Sequence, residues 1–160
     1  FPAWEAAGYE VETGPPLPRG ERHFTARLRA DLVRDLADMR RAVDAGGAIL
    51  DARPAPRFRG ETAEPRAGLR SGHMPGALSV PASALINEQG SLRPAEELTA
   101  IFAAAGADLS RPQSCSCGSG VTAAIIALAL ARLGRWDAAV YDGSWAEWGA
   151  QADTPVATGA

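Results

Sequence analysis

The chain has 160 residues, 46% of them hydrophobic and 22% charged, which is enough apolar material for one compact core and too little length for two. Sixteen basic against nineteen acidic side chains give a net charge of -3, so no overall positive field exists to hold a nucleic-acid backbone or an anionic membrane surface. The longest apolar stretch, Val121 to Leu130, falls well short of the roughly 20 residues of a bilayer span, and no signal-peptide pattern opens the chain; a soluble, cytoplasmic protein is expected.

The first residues, Phe1-Pro-Ala-Trp-Glu-Ala-Ala-Gly8, read as the end of an element that belongs to a preceding domain. Their theme returns in Ser144-Trp-Ala-Glu-Trp-Gly149, as an internal duplication would leave it. From Glu12 to Arg22 three prolines and two glycines exclude a helix or a central strand, so this is a linker. The arginines around His23 are read as its solvated charge. Residues 1–30 are thus assigned to a tail and linker, and residues 31–160 to one folded domain.

Asp31 is placed as the cap of a helix whose apolar residues Leu32, Val33, Leu36, Met39 and Val43 recur at three- and four-residue steps up to Gly46-Gly47. Ala48-Ile49-Leu50 is a buried strand ending at Asp51. The stretch from Asp51 to Leu78, rich in proline, glycine and arginine, is much longer than an ordinary connection and is expected to be functional. A second strand lies near Leu78-Ser79-Val80, and a helix runs from Pro94 through Leu98, Ile101 and Phe102 to Gly106. Pro112 to Ser116 fills a strand-sized gap, Val121 to Leu133 is a strongly apolar helix stopped by Gly134, and Ala138 to Tyr141 is a last strand before a short helix, Ser144 to Ala150. This alternation predicts an α/β fold with a central parallel sheet and helices on both faces.

The chemistry concentrates at Cys117-Gly118-Ser119-Gly120-Val121-Thr122, where small residues join a buried strand to a buried helix. Backbone N–H groups in such a loop can turn inward and, with the positive end of the helix dipole, hold an anion and lower a cysteine pKa. The location, at the carboxyl end of a strand in a parallel sheet, is where sites of such folds lie. Cysteine phosphatases use a similar loop with an arginine six positions after the nucleophile; here that position is Ala123, so the main stabiliser of phosphoryl transfer is missing. Sulfur chemistry remains.

Asp51-Ala-Arg53, Arg57-Phe-Arg-Gly60 with Glu64-Pro-Arg66, Gly72-His-Met-Pro-Gly-Ala77, the Cys117 to Thr122 loop with Ala123, and Tyr141-Asp-Gly-Ser-Trp145 together resemble the rhodanese superfamily. Within it they resemble the carboxy-terminal domains of 3-mercaptopyruvate sulfurtransferases. The resemblance covers the chain from about Asp31 to Ala150 and implies a rhodanese-like three-layer fold that works without metal or organic cofactor. Thiosulfate sulfurtransferases of the superfamily usually carry basic residues just after the nucleophile, whereas Gly118-Ser119 has none, which points to an α-keto acid donor. By the same resemblance Cys117 is the nucleophile and carrier of a persulfide, and Arg57 and Arg66 bind the carboxylate and keto oxygen of 3-mercaptopyruvate. Gly118, Gly120, Val121 and Thr122 complete the substrate-binding loop, and Ser119 is a candidate proton carrier. A thiol such as a thioredoxin would accept the sulfur, and an amino-terminal rhodanese-like domain would dock over the loop. A thiosulfate sulfurtransferase and a non-catalytic docking module are the alternatives.

The remaining candidates are read as structural. His73 is expected to bond nearby backbone, Asp51 and Arg53 to pair beneath the site, and Trp136, Trp145 and Trp148 to pack the core. Cys115 shares the Cys-x-Cys spacing with Cys117, but two thiols alone do not complete a tetrahedral metal site. Gln113 and Ser114 are oddly polar for a central strand.

Overall fold

The computed structural model describes residues 1–16 and 20–160, so residues 17–19 of the predicted linker lie outside the described residues. A five-residue helix, α1 (Pro2–Ala6), precedes the fold and buries nothing, and the described residues from Tyr9 to Arg29 form neither helix nor strand and are exposed. The folded part begins with a 3-10 turn, Ala30–Leu32, and a two-residue strand, β1 (Val33–Arg34).

The order that follows is α2 (Leu36–Asp44), β2 (Ile49–Asp51), α3 (Ala55–Phe58), β3 (Ala77–Ser79), α4 (Ala82–Leu85), α5 (Ala95–Ala104), β4 (Ser114–Ser116), α6 (Ala123–Arg132), β5 (Ala139–Tyr141) and α7 (Ser144–Trp148). The five strands form one parallel sheet in the order β1-β5-β4-β2-β3. Leu50 stands level with Cys115, and Cys115 with Val140, and these three join α4, α5 and α6 in a core led by Leu85, Leu98, Phe102, Ile126 and Leu130. Alternate strand positions, Ile49, Ala77 and Tyr141, face the other way and pack with Met39, Phe58, Trp145 and Trp148 from α2, α3 and α7. Side chains that alternate along a strand thus feed two cores, and the expected three layers are present.

The structure corrects two expectations. Asp31 does not cap α2. That role falls to Asp35, whose carboxylate accepts from the Asp38 N–H at 2.7 Å while Asp38 reaches back to the Asp35 N–H, a reciprocal capping box. Leu32 and Val33 therefore precede the helix, and Val33 pairs with Val140 as an edge strand. Trp136 is not a core residue. It is 73% exposed, whereas Trp145 and Trp148 are fully buried as expected.

The polar character of Gln113 has a local reason: its Nε2 donates to the carbonyl oxygens of Asp108 and Arg111, both at 2.8 Å, and closes the turn that enters β4. His73 also has the structural place expected of it, with Nδ1 2.8 Å from the Phe58 carbonyl and its ring stacked on Phe58 at 3.8 Å.

Candidate active site

β2 and β4 are neighbours, with Asp51 level with Ser116, so the segments leaving their carboxyl ends run side by side. The loop after β4 carries Cys117. The segment after β2, which includes α3, carries Arg53, Arg57, Glu64 and Arg66.

The Cys117 loop is held by its carbonyls. Trp145 N–H donates to the Cys117 carbonyl and Ala146 N–H to that of Gly118, both at 2.9 Å. With those oxygens tied outward to the first turn of α7, the N–H groups of the loop are free to face the sulfur. Gly120 permits the turn: its φ is +85°, and a Cβ there would stand 2.5 Å from the Asp142 carbonyl. Ser144 closes the arrangement. Its Oγ accepts from the Cys117 N–H at 3.0 Å, lies 2.8 Å from the Tyr141 carbonyl, and sits 3.8 Å from Cys117 Sγ. Ser144 is the single non-glycine residue with a positive φ among the described residues, at 50°, a strained backbone of the kind that persists where a site requires it.

The electrostatic outcome is a depressed thiol. Burial pushes the Cys117 pKa up, but hydrogen bonds from the Thr122 side chain, the backbone at Ser119 and Ala123, and the Ser144 hydroxyl outweigh it, so the net displacement is downward. Cys115, two residues earlier in the same core, has burial alone and is pushed up to about 12. Of two neighbouring thiols, only Cys117 is poised to be a nucleophile.

A cavity of about 350 Å³ opens on Cys117, lined also by Arg53, Pro54, Arg57, Ser83, Gly118, Ser119, Val121 and Thr122. A second, of about 160 Å³, lies on the other side of Gly118-Ser119 and is walled by Arg57, Glu64, Pro65, Arg66 and Leu69. Arg57, Gly118 and Ser119 border both. Of the residues singled out in the sequence, Gly118, Val121 and Thr122 join Arg57 and Ser119 at the first cavity. Arg66 reaches only the second, and Gly120 lines neither because its place is the turn against Asp142. Arg59 stands apart, paired with Glu61 at the surface.

Residues 33–151 match the model of the rhodanese-like domain. The chain belongs to that family. It is 47% identical over 155 residues to the 3-mercaptopyruvate sulfurtransferase of Escherichia coli K12, a match covering 96% of this chain and 54% of the relative. It is 40% identical over 152 residues to the thiosulfate sulfurtransferase of Gallus gallus, covering 92% of this chain and 50% of that one. Among solved structures, SseA from Escherichia coli superposes with a TM-score of 0.73 at 42% identity, covering 90% of this chain and 53% of SseA. Tum1 from Saccharomyces cerevisiae gives 0.82 at 29%, covering 98% and 58%. The chain spans about half the length of the curated relatives it matches.

Within this rhodanese-like domain the Asp51 and Arg53 pair expected beneath the site is present and larger than foreseen. Arg53, 1% exposed, donates to both oxygens of Asp51, to Glu64 Oε1 and to the Gly72 carbonyl, with its guanidinium 4.3 Å from the Trp145 ring centroid. Two members of the rhodanese-like site escaped the sequence reading. Glu64 stands in a motif that assigns it no role, and Ser144 has the sequence of an ordinary helix start, although the Asp142-Gly143 turn before it marks a place where the backbone bends sharply. Among the described residues no group of three or more His, Cys, Asp or Glu side chains stands together as metal ligands, and no helix is long and apolar enough to cross a membrane.

Proposed function

We propose that this domain is the catalytic half of a 3-mercaptopyruvate sulfurtransferase. The observation that carries the reading is the depressed Cys117 thiol at the centre of a loop without basic side chains, beside two arginines on the neighbouring loop. The Cys117 thiolate attacks the donor sulfur, and the carbon–sulfur bond breaks with its electron pair staying on carbon. The enolate so formed takes a proton and leaves as pyruvate, and Cys117 holds the persulfide. An acceptor thiolate, for example that of a thioredoxin, then attacks the outer sulfur and returns Cys117 to thiolate.

Arg57 and Arg66 supply the planar donors suited to the donor's carboxylate and keto oxygen. Gly118, Val121 and Thr122 line the pocket for the donor, Gly120 sets the turn of the loop, and Ser119, which borders both cavities, is placed to carry the proton. The inward N–H groups that favour the thiolate also favour a persulfide anion. Residues 31–160 form the catalytic domain, and residues 1–30 are the tail and linker of an amino-terminal rhodanese-like domain that covers the loop. Val121, 74% exposed at the cavity rim, offers that domain an apolar contact. The proposed setting is the cytoplasm, where a Cys117 thiol would be kept reduced.

Intact mass before and after 3-mercaptopyruvate tests the reading: an added sulfur of about 32 Da is expected on the protein and not on Cys117→Ser. Uptake from thiosulfate alone would overturn the donor in favour of the reading that the Gallus gallus relative supports. Uptake from neither donor would favour a docking module.

A further inference from the structure

Arg66 is exposed at the wall of the second cavity, and none of the hydrogen bonds or ion pairs among the described residues involves its side chain. Its place relative to Cys117 is therefore set by the backbone on either side of it. Four residues further on, Arg70 is fastened to the carboxyl end of α7. Its Nη2 donates to the Trp148 carbonyl at 3.2 Å and to Thr154 Oγ1, its Nε to the Gly149 carbonyl at 3.3 Å, and its Nη1 to the Thr154 carbonyl at 2.7 Å. The Arg70 N–H adds a bond to the same Gly149 oxygen at 3.2 Å, and the Trp145 indole N–H donates to the Arg70 carbonyl at 2.8 Å. Carbonyls at a helix end lack partners within the helix, and here a side chain from another segment supplies them.

α7 is thereby bonded at both ends. Its first turn donates the Trp145 and Ala146 N–H groups to the carbonyls of Cys117 and Gly118, and its last turn accepts from Arg70. Trp145, fully buried, serves both contacts: its backbone N–H holds the nucleophile loop and its indole N–H holds Arg70. Leu69, the neighbour of Arg70, packs in the core of Trp145 and Trp148 and also walls the second cavity, so the anchor reaches the cavity itself. We propose that Arg70 is a positioning residue: by clamping the segment from Arg66 to Arg70 onto α7, it sets the distance between the Arg66 guanidinium and Cys117, and with it the placement of the donor carboxylate relative to the nucleophile. The proposal rests on the sulfurtransferase reading above.

The test is a double-mutant cycle with the unaltered chain, Arg70→Met, Arg66→Ala and the double variant Arg70→Met/Arg66→Ala. Met keeps an unbranched stem and removes the bonds to α7. Steady-state kinetics with 3-mercaptopyruvate give kcat and KM, and the pyruvate concentration that halves the alkylation of Cys117 by iodoacetamide reads keto-acid binding without turnover. Arg70→Met is expected to raise both KM and that pyruvate concentration about 10-fold, within the roughly 100-fold that a small misplacement of a positioning group can cost; kcat changes less. In the Arg66→Ala background the same substitution has no further effect, because the group it positions is gone, whereas a cap that only stabilised the fold would act equally in both backgrounds. The iodoacetamide rate without pyruvate, which reads the thiolate, stays unchanged. Binding unaltered by Arg70→Met, or weakened by the same factor in both backgrounds, overturns the proposal, and a slower iodoacetamide rate in Arg70→Met overturns it by placing the effect on the nucleophile loop. An unaltered chain that pyruvate does not protect leaves Arg66 no keto acid to place and overturns it as well. Should Arg70→Met fail to fold by circular dichroism, Arg70→Lys, which keeps one charged donor for the same carbonyls, takes its place in the cycle and the same outcomes decide. If the unaltered chain binds pyruvate but takes no sulfur from 3-mercaptopyruvate, the sulfurtransferase reading has failed, while the cycle on pyruvate binding still judges Arg70.

Discussion

Two loops leave the carboxyl ends of adjacent strands in the middle of the sheet and favour negative charge by different means. The Cys117 loop does so with backbone N–H groups, fixed by carbonyl bonds to Trp145 and Ala146 and by the turn at Gly120. The loop after β2 uses side chains, the Asp51, Arg53, Glu64 and Arg57 network together with Arg66. A backbone site is set by the fold and changes only when the chain path changes, whereas a side-chain site can be retuned one residue at a time. On the proposed function, the first serves the attack on sulfur and the second holds the rest of the donor.

The contrast can be broken most completely at the sulfur. Cys117→Ser is expected to abolish sulfur uptake from any donor and leave the folded structure intact, read by mass and by circular dichroism. Next comes Gly120→Ala. A Cβ there meets the Asp142 carbonyl in a backbone region L-residues avoid, so about 1–3 kcal/mol of stability is lost along with turnover from both donors, measured by chemical denaturation and steady-state assay.

Ser144→Ala sharpens the backbone half of the comparison. It leaves the buried Cys117 N–H without its acceptor, at a cost of about 1–3 kcal/mol, and raises the thiol pKa toward the ordinary value of 9.0. The ultraviolet absorbance of the thiolate follows that shift. The sign of the pH dependence follows from the direction. A folded pKa below the unfolded one makes the thiolate's contribution to stability complete above the unfolded value, and that contribution disappears as pH falls through the folded value. The stability advantage over Cys117→Ser should therefore grow as pH rises to 9.0, and in Ser144→Ala that growth should start at a higher pH.

On the side-chain half, Arg66→Ala is expected to raise KM for 3-mercaptopyruvate about 10- to 100-fold, the worth of one charged hydrogen bond, with stability unaltered because Arg66 is exposed. The smallest effect belongs to Arg59→Ala, which removes a surface pair with Glu61 and should change stability by less than about 1 kcal/mol and activity not at all.

The strands and helices around the cysteine were readable because each is a short apolar run closed by glycine or a polar turn. Ile49-Leu50, Val140-Tyr141 and the α6 run are of this kind, and the loop at Cys117 stands out by its glycines. Less was readable where a residue's role depends on something distant. Val33 carried a helical period yet pairs with Val140 across the sheet, an alignment no local pattern contains. Trp136 looked like Trp145 in type but lies between α6 and β5 at the surface. Glu64 and Ser144 show the same limit at the site. One is defined by two arginines 11 and 7 residues away, the other by a backbone N–H 27 residues away, and neither spacing has a periodic signature.

The bonds from Trp145 and Ala146 to the carbonyls of Cys117 and Gly118 tie the nucleophile loop to a segment that is synthesised after it. Before that segment docks, the loop has no reason to turn its amides inward, and Cys117 is an ordinary, largely protonated thiol. Folding usually shields a cysteine from chemistry, but here it creates the reactive form. A brief pulse of a small thiol reagent during refolding would then find Cys117 least reactive in the early chain and most reactive at the end, while Cys115 follows the opposite course, so that the two thiols of one short strand and loop act as paired clocks for the assembly of the site.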